Sequence, residues 1–91
     1  SALDPFNART RVAMGLCHQW LGDLKSASDS FESALKLGPN DVAVLNALSW
    51  NLIVRGDSDR ARLLVEQSLK INPWDNWEAK SYAQRLQTGA H

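Results

Sequence analysis

Three prolines stand at positions 5, 39 and 73, so both intervals are 34 residues. Each follows an apolar residue by two positions (Leu3, Leu37, Ile71) and precedes a possible helix N-cap by two (Asn7, Asp41, Asp75). Other residues keep the same offset. Gly22-Asp23 returns as Gly56-Asp57, Ala13 as Ala47, Ala27 as Ala61, and Leu35-Lys36 as Leu69-Lys70. A fixed period of this length marks supersecondary units that bury their apolar faces by stacking on one another.

The pattern inside each unit is helical. Val12, Leu16 and Trp20 step by four, as do Val44, Leu48 and Leu52. Phe31, Ala34 and Leu35 share one face of a second segment, and Leu64, Val65 and Leu69 share one in the next copy. Glycine stops each first helix and aspartate caps the second. Nothing alternates with period two, so strands are not expected. The pattern predicts five helices over 7–21, 24–37, 41–55, 58–71 and 75–88. Short connections make neighbours antiparallel, and proline ends each hairpin because it cannot continue the helical ladder.

These residues resemble the tetratricopeptide repeat, whose pattern is W-x2-L-G-x2-Y, then A-x3-F, then P at a period of 34. The first copy reads Arg11-x2-Met14-Gly15-x2-His18, Ala27-x3-Phe31, Pro39. The second reads Leu45-x2-Leu48-Ser49-x2-Leu52, Ala61-x3-Val65, Pro73. A half copy, Ala79-x2-Tyr82-Ala83-x2-Leu86, follows. Arg11, Leu45 and His18 depart from the pattern. The resemblance implies an all-α fold of antiparallel hairpins stacked as a short right-handed solenoid. Residues 1–6 then read as the tail of a preceding repeat, 7–40 and 41–74 as two repeats, 75–88 as a capping helix and 89–91 as a tail. The chain is accordingly expected to be a piece of a longer array or multidomain protein. Exposed ends of such a piece could self-associate. Gly15, Ala27, Ala34, Ala61 and Ser68 are expected to let helices approach closely, and Lys80, Gln84, Arg85 and Gln87 to form an outer polar face.

Composition bounds the function. Ten basic and ten acidic residues cancel, which leaves no electrostatic footprint for nucleic acid. No apolar run approaches the length of a membrane span, so no membrane insertion is expected. The single cysteine, Cys17, forms no intrachain disulfide, which favours a reducing compartment such as the cytoplasm without fixing it. Cys17 beside His18 is no catalytic dyad, because adjacent helical residues point about 100° apart. Cys17 is expected to be a buried small residue and His18 a packed or half-buried ring. Asp23, Asp41, Asp57 and Asp75 are expected caps. No metal-ligand spacing or phosphate-cradling loop occurs, so no enzyme activity, cofactor or metal is expected.

The resemblance implies that the first helix of each repeat lines a concave binding groove. That groove would present Arg9, Val12, Leu16 and Gln19, then Ala43, Asn46, Trp50 and Ile53, then Trp77, Lys80 and Gln84. An apolar line edged by amides suits a peptide with apolar anchors. Members of this family that bind acidic chaperone tails clamp a terminal carboxylate with Lys and Asn. Val12 and Leu16 occupy the matching positions here, and only Lys80 remains as a candidate, which argues against that ligand. The leading expectation is a protein-interaction module that binds a peptide or a neighbouring domain. The alternative is a regulatory or sensory segment of a signalling protein, such as a transcription regulator or nucleotide cyclase, with intramolecular contacts. In the stretch Ile71 to Trp77, Trp74 is expected to brace the turn against neighbouring helices and Trp77 to face the groove.

Overall fold

The computed structural model describes residues 5–88 of the 91-residue chain, with side chains described for 8–87. Among the described residues there are five helices and no strand: α1 (Pro5–Trp20), α2 (Leu24–Leu37), α3 (Val42–Arg55), α4 (Ser58–Ile71) and α5 (Trp77–Thr88). Of the expected tail 1–6, residues 1–4 lie outside the described residues, as does the expected tail 89–91, while residues 5 and 6 belong to α1. Consecutive helices pack as antiparallel neighbours, and α3 also touches α1 and α5. This is the expected all-α helical repeat. No described helix is long and apolar enough to cross a membrane.

The two hairpin turns are built alike, 34 residues apart. Gly22 and Gly56 hold φ of 84° and 89°, a left-handed region that favours glycine. The following amides close the same bond back into the helix: Asp23 N–H to His18 O and Asp57 N–H to Leu52 O, each 2.8 Å. Asp23 Oδ1 then accepts from Ser26 N–H at 3.1 Å, and Asp57 Oδ1 from Arg60 N–H at 3.5 Å. The Ser26 bonds hold the Asp23 carboxyl below its usual range. Asp41 caps α3 through Ala43 N–H at 3.0 Å.

The ends differ from expectation. α1 starts at Pro5, so Asn7 lies inside the helix rather than capping it. α5 starts at Trp77, and Asn76 occupies the flanking position instead of Asp75, its carbonyl accepting from Lys80 N–H. The cause is Asn72. Its Oδ1 accepts from Trp74 N–H at 3.2 Å and Asp75 N–H at 3.1 Å, a side-chain turn that holds the chain out of the helix. Trp74 is consequently 83% exposed and braces nothing. Cys17 is exposed, not buried: it lies two residues, about 200° of helical turn, beyond Gly15, the α1 position that meets Phe31 of α2. His18 is half-buried, as read from the sequence.

The core runs through the array as one cluster that includes Phe31, Leu45, Leu48, Leu52 and Val65. Full burial of Phe31 contributes roughly 1.5–3 kcal/mol. It requires Gly15: a Cβ there would lie 2.7 Å from Phe31 Cδ1 and 3.0 Å from its Cζ. In a helix, Gly→Ala ordinarily stabilises by about 1 kcal/mol. Here the clash with a fully enclosed ring outweighs that gain. Gly15→Ala is therefore expected to destabilise the chain by about 1–3 kcal/mol. Urea unfolding checks this, and a stabilised variant would contradict the α1–α2 packing.

Candidate functional site

α1, α3 and α5 lie side by side, and a depression of about 260 Å³ opens along them. Val12, Leu16 and Gln19 line it from α1, Ala43, Asn46, Ala47 and Trp50 from α3, and Glu78 and Tyr82 from α5. A second depression of about 450 Å³ is lined by Leu16, Gln19, Trp20 and Trp50. Shared walls at Leu16, Gln19 and Trp50 make the two one continuous trough.

Trp50 sits at the junction. Its ring stacks on Tyr82 with centroids 5.5 Å apart, and the Arg85 guanidinium lies 5.3 Å from the ring centroid. Stacking and the cation–π contact each add about 0.5–1.5 kcal/mol beyond burial. They hold the indole in place. Burial, and secondarily the Glu78 carboxylate, push the Tyr82 hydroxyl above its usual value of 10.0.

The polar residues beneath the trough are tied into the fold. Asn46 is 5% exposed: its Nδ2 donates to Asn76 Oδ1 at 2.9 Å, and its Oδ1 accepts from Ser68 Oγ at 2.7 Å. Asn76 Nδ2 lies within 2.9 Å of Ser68 Oγ and 3.0 Å of Asn72 O. Asn46 is therefore a joint between helices as well as a wall. Farther along, Asn51 Nδ2 donates to Gln19 Oε1 at 3.2 Å and Leu24 O at 3.1 Å. The first of these bonds engages the Gln19 amide oxygen, and Gln19 lines both parts of the trough.

Six of the eleven residues read from the sequence come together here: Val12, Leu16, Gln19, Ala43, Asn46 and Trp50. Arg9 is exposed off the trough, and Ile53 packs against the core. Trp77, Lys80 and Gln84 are exposed on the far side of α5, with Lys80 Nζ 3.4 Å from Trp74 O. The reason is rotational. Ala79 and Leu86 are buried with Tyr82 and Ala83 packed beside them, and 100° per residue turns 77, 80 and 84 away from that face. The sequence reading missed Trp20, Ala47, Glu78 and Tyr82 as trough residues. Trp20 carried a usable signal, since it follows Leu16 by one helical step. Glu78 and Tyr82 enter because Tyr82 reaches across to Trp50. Among the described residues no group of His, Cys, Asp and Glu gathers to hold a metal ion.

Tyr82 is the chain's one tyrosine, so its ionisation can be followed directly by ultraviolet difference absorbance. A raised folded value means its contribution to stability is complete below the unfolded value near 10 and is lost as pH rises through the folded one. The folded chain is expected to titrate above 10, and the urea-unfolded chain near 10. Glu78→Gln is expected to lower the folded midpoint. A folded midpoint equal to the unfolded one would contradict the stacked arrangement.

No protein-family model matches the chain. A stretch of 64 residues, 70% of this chain, is 28% identical to human aspartyl/asparaginyl beta-hydroxylase. The chain covers 8% of that protein's length.

Proposed function

We propose that the chain is a tetratricopeptide-like array, two hairpins and a closing helix, that acts as a non-catalytic interaction module. It binds a peptide or a neighbouring domain in the trough across α1, α3 and α5. The observation that carries this reading is the trough's mixed state of order. Trp50 is held by Tyr82 and Arg85, while Leu16 and Trp20 beside it remain 42% and 89% exposed. Contiguous apolar surface of this kind marks interaction sites, and tryptophan is a frequent anchor of binding energy. An indole fixed in advance loses little conformational entropy on binding. Gln19 and Glu78 at the walls offer a donor and an acceptor to peptide backbone or side chains.

The chemistry of the walls supports binding over catalysis. Glu78 and Tyr82 are the ionisable residues lining the trough, and both stand on α5 with no nucleophile opposite. Val12 and Leu16 give no cation for an acidic peptide terminus. The hydroxylase match adds a likeness over 64 residues and no activity to this proposal.

The test is selection of peptides from a random library on the chain, followed by affinity measurement. Selected peptides are expected to carry aromatic or aliphatic anchors. Leu16→Glu, at an exposed position, is expected to weaken them about tenfold or more with the far-ultraviolet circular dichroism unchanged. Trp50→Ala is expected to cost about 2 kcal/mol of binding. Peptides that bind Leu16→Glu and the parent chain equally would overturn the assignment.

A further inference from the structure

Among the residues that line the trough, Glu78 is the one charged side chain. Three described carboxylates in the chain are half-buried: Glu32, Asp41 and Glu78. The first two are matched within the fold. Arg60 pairs through both guanidinium nitrogens with Glu32, Nη2 to Oε1 at 2.7 Å, and holds its carboxyl below the usual range. Asp41 caps α3 through Ala43 N–H. No described cation lies within ion-pair distance of Glu78. Arg85 stands seven residues, about 10 Å, farther along α5 and lies over the Trp50 ring instead. A place in the first turn of α5 favours a carboxylate through the helix dipole. That accounts for an acid on this turn, but not for its position in an apolar wall.

Charge and apolar exposure are segregated along the trough. Glu78 lines the part that includes Val12 and Ala43, whereas Leu16 and Trp20, 42% and 89% exposed, meet Trp50 in the other part. Val12 and Trp20 are eight residues, about 12 Å, apart along α1. An extended peptide spans that length with about four residues.

We propose that the trough, if it is the peptide site argued above, takes a basic segment of a partner protein. A lysine or arginine of that segment faces Glu78. About four residues away, an aromatic or large aliphatic side chain packs on Leu16 and Trp20. The apolar surface supplies most of the affinity, and the half-buried carboxylate supplies the discrimination: it attracts a cation and repels an acidic segment.

The probes are two blocked peptide libraries, each with a fixed tryptophan. One carries lysine four residues from it and the other glutamate, on either side, with uncharged residues elsewhere. The immobilised parent chain is expected to retain the lysine library about tenfold over the glutamate library. Glu78→Gln is expected to abolish that preference and Glu78→Lys to reverse it, with circular dichroism unchanged. Glu66→Gln removes the same charge from an exposed position outside the trough, and is expected to keep the preference. Equal retention of the two libraries by the parent chain overturns the proposal, as does a lysine preference that survives Glu78→Gln. Equal retention that Leu16→Gln abolishes would leave the trough a peptide site and remove only its charge selection. Retention of neither library would overturn the peptide reading of the trough together with this one.

Discussion

The seat of α5 depends on a buried knot of three polar side chains. Asn46 on α3, Ser68 on α4 and Asn76 before α5 bond to one another, and each is at most 5% exposed. A buried amide left without a partner costs about 1–3 kcal/mol, so the three hold one another in a single arrangement. One period earlier the same positions are Val12, Ala34 and Val42, an apolar junction. Apolar contacts set a distance; hydrogen bonds also set an orientation. The knot fixes the angle at which α5 leaves the second unit. It thereby places Glu78 and Tyr82 as the trough's third wall.

That placement explains the double character of Trp50. One aspect belongs to the fold, since Tyr82 and Arg85 from α5 lie against the ring. The other belongs to the surface, since the same ring separates the two parts of the trough. Loss of α5 from its seat would remove the stack and leave only α1 and α3 to contact a ligand. In the proposed reading, recognition therefore rests in part on Ser68 and Asn76, which do not line the trough.

The interior elements were legible because their signals are local and repeated. Gly22-Asp23 and Gly56-Asp57 place the hairpin turns, and the predicted limits of α2 and α4 agree with the structure while α3 differs by one residue. The small residue at position 15 was readable, although the ring above it became visible only in three dimensions. At the start of α5 the reading failed where two local signals competed. Asp75 fits a cap by position, but the Asn72 side chain captures the turn amides first, and Asn76 is drawn into the knot. Asn46 does line the trough as expected, but its second role in the knot was hidden because its partners lie 22 and 30 residues away. Trp77 failed for a related reason: its assignment followed the period, whereas its orientation follows the face that α5 buries.

Amide hydrogen exchange on the chain carrying Asn76→Ala, resolved residue by residue, tests most directly whether the knot holds the third wall. Asn46 Nδ2 would lose its buried acceptor. Protection is predicted to fall by about tenfold or more across Trp77–Leu86, with α1 and α2 nearly unchanged. Unchanged protection in α5, or an equal loss over all five helices, would contradict the account.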